Sequence, residues 1–241
     1  MISYSKLGKM GRLGNQLFQI ASTIGIAKKN GENYGFPYWD YGQYFVNKIP
    51  VFDVFPNYVH TERGFHYSEI IGKNIDLLGY FQSEKYFNVF ESDIRNYFRF
   101  NDDLLGTEDL KEYCSLHIRR TDYLKFPYYH PFPGMDYYNR SVEYMKSLGF
   151  TKFLIFSDDI SWCKENFNSS FSYSENNEDI KDLALMTKCG AHIIANSSFS
   201  WWGAWLNNDP NRIVVAPKNW FGPAKNGTNT DDLYCNNWVK F

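Results

Sequence analysis

Residues 114–123 read Cys-Ser-Leu-His-Ile-Arg-Arg-Thr-Asp-Tyr, and six consecutive positions carry an imidazole, two guanidiniums and a carboxylate: His117, Arg119, Arg120 and Asp122. Two adjacent arginines suit a diphosphate, because a planar fork of N–H donors matches phosphate oxygens bidentately. A salt bridge that pins a loop is the alternative, and it weighs most for Asp122. Asp158 and Asp159 follow Ser157 and offer carboxylates either to a ligand or to the cap of a helix starting near Ser161. Asn196-Ser197-Ser198 presents hydroxyls and backbone N–H groups at a helix start, suited to phosphate or to capping alone. The turn Gly11-Arg-Leu-Gly14-Asn15-Gln16 also precedes a helix. It lacks the Gly-x-Gly-x-x-Gly spacing of a dinucleotide site, which argues against an oxidoreductase.

Period-two alternation puts Cys114, Leu116 and Ile118 on one face of a strand and Ser115, His117 and Arg119 on the other. That strand, 112–119, delivers imidazole and guanidinium together at its carboxyl end. Further strands are expected at 152–157, 192–195 and 212–216, with helices at 136–148, near Ser161, at 178–189 and at 198–206. The alternation predicts a parallel α/β sheet, whose ligands gather at the carboxyl ends of strands. Upstream, Leu17, Ile20, Ala21, Ile24 and Ala27 have helical spacing, residues 31–75 read as irregular with short strands, and Ser83 is expected to cap a helix carrying Tyr86, Phe90, Ile94 and Tyr97. The polar stretch 101–111 marks a boundary between domains 1–110 and 111–241, with a C-terminal tail able to cross back.

The 241 residues carry a formal charge of −2, which excludes a general nucleic-acid or anionic-membrane binder. The 19 Tyr, 21 Phe and 7 Trp make 20% of the chain, which favours an ordered protein and suits sugar binding, where a pyranose face stacks on a ring. Four scattered cysteines form neither a disulfide framework nor a zinc motif and fit a reducing cytoplasm. No signal-peptide h-region opens the sequence and no transmembrane segment is expected; a location in the cytoplasm, peripheral to a membrane that carries the acceptor, is compatible with this.

His117-x-Arg119-Arg120-x-Asp122 resembles the signature of the α1,2-fucosyltransferases, glycosyltransferase family 11, shared with α1,6- and protein O-fucosyltransferases. Three more segments resemble that family in order: Gly11-Arg-Leu-Gly14-Asn15-Gln16, Leu78-Gly-Tyr-Phe-Gln-Ser-Glu-Lys-Tyr86, and Asn196-Ser-Ser-Phe199-Ser-Trp-Trp-Gly-Ala-Trp205. The resemblance implies a GT-B type α/β fold, two Rossmann-like domains facing a cleft, the first on the acceptor side and the second binding GDP-fucose. It implies transfer of L-fucose from GDP-β-L-fucose to a hydroxyl of a glycan acceptor, with inversion and an α1,2 linkage on a galactoside-type acceptor.

On that reading GDP-fucose is the donor substrate and no separate cofactor is needed. No Asp-x-Asp occurs, so Arg119, helped by Arg120 or a helix N-terminus, would meet the charge growing on the β-phosphate. His117 would lie near guanine or the diphosphate, Asp158 or Asp159 would accept from guanine, and Asn196, Ser197, Ser198 and Phe199 would complete the donor site. Gly11 and Gly14 would permit close approach while Asn15 and Gln16 contact fucose or pyrophosphate. Asp122, His130 and Asp136 are the candidates for a base, and a proton that leaves late through water with no dedicated base is the alternative. Arg12 departs from the family, which has glycine there. A GT-B transferase for another nucleotide sugar, or a non-catalytic carbohydrate-binding protein, is the alternative.

Overall fold

The computed structural model describes residues 1–175 and 178–241. They divide into two units, Met1–Leu104 with Thr228–Cys235, and Leu105–Gly227 with Asn236–Phe241.

In the first unit, β1 (Ile2–Ser3) leads through a glycine turn into α1 (Leu13–Lys29), followed by β2 (Tyr34–Gly35), β3 (Tyr58–Thr61) and β4 (Ile75–Leu78). The four strands are parallel, in the order β2-β1-β4-β3. The apolar spacing that marks α1 understates its burial: every residue from Leu13 to Ala27 except Asn15 is buried. Such a helix carries polar groups inside only if they are paired. Ser22 Oγ donates to the Phe81 carbonyl at 2.9 Å and Thr23 Oγ1 to the Gln19 carbonyl at 2.6 Å.

Ser83 does cap, accepting from Lys85 N at 3.3 Å, but the element it starts is a 3-10 turn, Glu84–Tyr86, and not the long helix expected. Phe87, at φ −136° and ψ −3°, breaks the helical path because Tyr86 and Phe87 are both drawn into the core. A second turn, Asn88–Phe90, then passes into α2 (Glu91–Tyr97), and α3 (Asp102–Leu105) follows.

The second unit alternates β5 (Tyr113–Ile118), α4 (Met135–Ser147), β6 (Lys152–Ser157), α5 (Ile160–Asn166), β7 (Phe171–Tyr173), α6 (Asp179–Met186), β8 (Ala191–Ile193), α7 (Ser198–Trp205), β9 (Ile213–Ala216) and β10 (Val239–Lys240). All six strands are parallel, ordered β10-β9-β8-β5-β6-β7. The edge strands β7 and β10, three and two residues long, are additions to the expected set.

Cys114, Leu116 and Ile118 face one core with Tyr138, Met145 and Ile155, as the alternation requires. The opposite face buries a polar network in which Ser115 Oγ meets His192 Nδ1 at 2.8 Å and His192 Nε2 meets Asn207 Nδ2 at 2.9 Å. Asn207 Nδ2 is a donor, so His192 Nε2 accepts and the proton sits on Nδ1, facing Ser115. The set resembles a hydrolytic triad in composition, but His192 and Ser115 are inaccessible, and its role is to satisfy polar groups inside the sheet.

Candidate active site

Chain order makes β5 the pivot of the six-stranded sheet: β6 and β7 are added on one side of it, β8, β9 and β10 on the other. The crevice at such a reversal, outside the carboxyl ends of the strands, is where open α/β sheets bind ligands. Register sets Ile118 beside Ser157 and Leu116 beside Ile193, so the segments beginning at 119, 158 and 194 leave the sheet side by side. These segments carry Arg119, Arg120, Asp122, Asp158, Asp159, Asn196, Ser197, Ser198 and Phe199, and His117 lies at the end of β5 itself.

Arg119 is gripped from two directions. Its Nε and Nη2 donate to the two oxygens of Asp122, both at 2.8 Å, and Nη1 lies 3.3 Å from Asp158 Oδ2. Burial works against the charge, but the hydrogen bond to Asp122 and the charges of Asp158 and Asp122 outweigh it and raise the Arg119 pKa. These contacts engage three of the five guanidinium N–H groups, two in hydrogen bonds and one facing the carboxylate of an ion pair. Two are left over for an anion. Asp122 thus forms the salt bridge weighed above, and that bridge orients Arg119.

Asp158 is a clamp on the turn after β5. Its oxygens accept from Arg120 N at 2.9 Å, from Thr121 N at 3.2 Å and from the Thr121 hydroxyl. Asp159 caps α5, accepting from Trp162 N at 3.2 Å, and takes Arg120 Nε at 3.1 Å. Both carboxylates are therefore occupied by the protein, the capping alternative among them. Arg120 is held flat, its guanidinium carbon 4.0 Å from the centre of the Trp162 ring. The adjacent arginines differ in their partners: Arg119 is forked onto Asp122 and faces Asp158, whereas Arg120 sets Nε on Asp159 and its guanidinium over Trp162.

His117 is buried, its ring centre 5.4 Å from that of Phe199, and its Nδ1 has no partner among the described residues. Burial and the Arg119 charge push its pKa down to about 3, so the imidazole is neutral at pH 7. It can offer a hydrogen bond there, and no positive charge. Asn196 is equally buried: Nδ2 donates to the carbonyls of Trp220 at 2.9 Å and Pro131 at 3.0 Å, while Oδ1 is also without a partner. Ser197 caps α7 by accepting from Phe199 N at 3.3 Å, and Ser198 and Phe199 are half-buried in its first turn.

The N-terminal motif lies in the first unit. Gly11 has φ +76°, and a Cβ there would come within 2.6 Å of Asn15, so only glycine makes this turn. Asn15 Oδ1 accepts from Gln82 Nε2 at 2.6 Å, which joins two of the motifs recognised in the sequence. Gln16 is spent on structure: Nε2 donates to the Gly11 carbonyl at 3.0 Å and Oε1 accepts from Trp39 Nε1 at 2.8 Å. Gly14 is buried in the first turn of α1, and Arg12 is exposed just before it.

Of the possible bases, Asp136 is exposed on the first turn of α4. His130 stacks on Tyr123, ring centres 5.1 Å apart, and burial lowers its pKa. Sequence reasoning passed over Thr121 and Trp162, and it offered Tyr123 only as the start of an aromatic stretch, 123–138, on which an acceptor could stack. Tyr123 donates to the Asn196 carbonyl at 2.8 Å and lies under the Arg119 guanidinium at 5.9 Å. Its place inside the basic motif was the available signal.

Among the described residues no helix is long and apolar enough to cross a membrane. The chain has the fold of solved fucosyltransferases of GT-B type. It is similar to the crystal structure of fucosyltransferase NodZ from Bradyrhizobium, with a TM-score of 0.51 and 10% identity over 84% of this chain and 91% of that one. It is also similar to POFUT1 in complex with GDP-fucose, with a TM-score of 0.57 and 12% identity over 89% and 97%.

Among curated relatives, an O-antigen biosynthesis glycosyltransferase, WbnK, of Escherichia coli is 37% identical over 68% of this chain and 59% of its own length. An α-1,2-colitosyltransferase of Escherichia coli is 34% identical over 81% and 72%, and a galactoside 2-α-L-fucosyltransferase, SEC1, of Bos taurus is 24% identical over 81% and 62%. The chain thus spans less than two thirds of the length of WbnK and SEC1. The model of glycosyl transferase family 11 matches residues 6–241. With its four motifs, its parallel sheets and this match along nearly its whole length, the chain belongs to glycosyl transferase family 11.

Proposed function

We propose that this protein is an inverting transferase that moves L-fucose from GDP-β-L-fucose to a hydroxyl of a galactoside-type glycan and forms an α1,2 linkage. The observation that carries the reading is Arg119, oriented by Asp122 and Asp158 at the pivot of the sheet with two N–H donors unspent.

As the bond between the sugar C1 and the β-phosphate oxygen breaks, negative charge collects on the phosphate and the sugar becomes oxocarbenium-like. A fixed guanidinium meets that charge without reorganising as GDP leaves with the bonding pair, and the acceptor oxygen enters from the opposite face of the sugar and gives its proton to a nearby carboxylate or histidine or, late in the step, to water. Arg119 is the charged group in this role and Asp122 its positioning partner. Buried polar atoms without partners cost about 1–3 kcal/mol each. His117 Nδ1 and Asn196 Oδ1 are such atoms beside the same crevice, and the nucleotide would satisfy them, with Phe199 beside its base. Asp158 and Asp159 shape the site through the turn and helix they hold, and Ser197 and Ser198 start the helix that faces the phosphates. Within the first unit, Gly11, Gly14 and Gln16 set the turn that carries Asn15, and Gln82 holds its side chain.

The relative named for colitose supports a second donor, GDP-colitose. Incubation with GDP-fucose, GDP-colitose and GDP-mannose in parallel, over a set of galactoside acceptors, separates the two readings. The expected product from GDP-fucose carries an α1,2-linked fucose by NMR. Turnover of GDP-colitose alone would assign the second sugar, and release of GDP from none of the three would overturn the transferase reading.

A further inference from the structure

The segment that follows the Arg119–Asp122 clamp displays apolar side chains instead of burying them. Leu124 is 52% exposed, Phe126 58%, Tyr128 70% and Tyr129 49%. Exposed apolar side chains gathered in one short segment mark a candidate binding surface. Among the described residues Phe126, Tyr128 and Tyr129 stack on no other aromatic ring, and about half or more of each is exposed.

The backbone beneath these rings is fixed. Leu124 N donates to the Arg120 carbonyl at 2.8 Å, and Tyr129 N and His130 N both donate to the Phe126 carbonyl, at 3.0 and 2.9 Å. From the other side, Gly222 N reaches the Tyr129 carbonyl at 3.0 Å and Ala224 N the Tyr128 carbonyl at 2.9 Å. A Cβ at Gly222 would sit 2.4 Å from the Tyr128 carbonyl oxygen, so the approach requires glycine. Asn196 holds Pro131, and Tyr123 ties the start of the segment to the Asn196 carbonyl. Rings displayed on a pinned loop lose little entropy when a ligand covers them.

Their chemistry selects the ligand. Two tyrosines and a phenylalanine combine π-faces with hydroxyls at the rim, matching a pyranose that has an apolar C–H face and a polar edge. From Tyr123 to Met135 there is no carboxylate, and Lys125 and His130 are the basic groups. The patch is therefore suited to a neutral or acidic saccharide and not to a cation.

We propose that Phe126, Tyr128 and Tyr129 form a stacking platform for the sugar rings of the acceptor oligosaccharide, placed by the chain immediately after the charge clamp at Arg119. The assignment rests on the transferase reading and gives its acceptor a location.

The test uses the full chain with lactose as the probe. Saturation-transfer NMR of lactose against the wild type and a Tyr128→Ala/Tyr129→Ala double variant is expected to lose the sugar-face signals in the variant. In transfer assays at saturating GDP-fucose, the same variant is expected to raise KM for lactose tenfold or more, with the KM for GDP-fucose and the rate of its hydrolysis unchanged. Tyr128→Phe, which keeps the ring, is expected to retain the wild-type KM. Equal lactose binding by the wild type and the double variant, or no lactose binding by the wild type, would overturn the platform. So would loss of affinity for phosphatidylglycerol vesicles in the double variant with lactose unaffected, which would make the patch a membrane contact. Failure of wild-type GDP-fucose turnover alone strikes the transferase reading, and the NMR arm then decides the platform by itself.

Discussion

Replacing Arg119 with lysine keeps the charge and removes the fork. In the native arrangement two N–H groups hold Asp122, one faces Asp158 and two are spare. A lysine ammonium has three N–H groups at one point. Serving both carboxylates leaves it one donor for phosphate instead of two. The loss of one directed donor at a developing oxyanion costs about 3–4 kcal/mol, or roughly 10²–10³ in kcat. The effect on the fold is expected to be much smaller. The Arg119 and Asp122 side chains are 17% and 37% exposed, and a screened pair of that kind contributes about 0.2–1 kcal/mol.

Arg120→Lys is the internal control. Its guanidinium lies 4.0 Å over Trp162 with Nε on Asp159, so the change removes stacking of about 0.5–2 kcal/mol from the fold and leaves turnover close to wild type. Steady-state GDP release at saturating GDP-fucose and acceptor, read beside urea midpoints, distinguishes the two. The reasoning is refuted if Arg119→Lys turns over like the wild type while losing stability, because Arg119 would then merely pin the loop.

Three further outcomes follow from the geometry. His117 and His192 are both pushed down to about 3 by burial, with the charges of Arg119 and Arg212 adding to it, so the unfolded chain binds protons that the folded one refuses. Stability is complete above the ordinary histidine pKa and falls with pH below it, by about 2 kcal/mol per histidine at pH 5; a His192→Gln variant whose urea midpoint varies with pH as steeply as the wild type's would contradict this. Gly11→Ala forces a Cβ against Asn15 in a left-handed backbone, with an expected loss of about 1–2 kcal/mol and of the Asn15–Gln82 contact; an unchanged thermal midpoint would count against it. Transfer is expected to persist in EDTA, and a strict requirement for added Mn²⁺ would remove Arg119 from its role.

The basic motif was legible because strand periodicity and residue type agree there: alternation set the face of His117, and the carboxyl end of a parallel strand set the place of Arg119. Capping by Asp159 and Ser197 was legible as an alternative for the same reason, since both precede helical spacing. What sequence order concealed was the choice of partners. Gln16 resembles a ligand contact until Trp39, from a stretch without periodicity, is found on its Oε1. Asp158 resembles a free carboxylate until Thr121 and Arg120 N, across the parallel pair β5–β6, are found on it. The edge strands β7 and β10 are too short to carry an alternation, and the helix expected after Ser83 is broken by the burial of two neighbouring rings.

The assignment of the last residues bears on how the molecule is made. Asp232 accepts from Tyr67 N at 2.6 Å and pairs with Lys85 inside the first unit, while Val239–Lys240 supplies the outermost strand of the second. Neither unit is a continuous stretch of chain, so neither has all its contacts until residues 228–241 have been made. On the ribosome, residues 1–104 must wait without their final tether while more than a hundred others emerge. Residues 228–241 complete both halves, and lesions in that segment are expected to act as folding defects of both units.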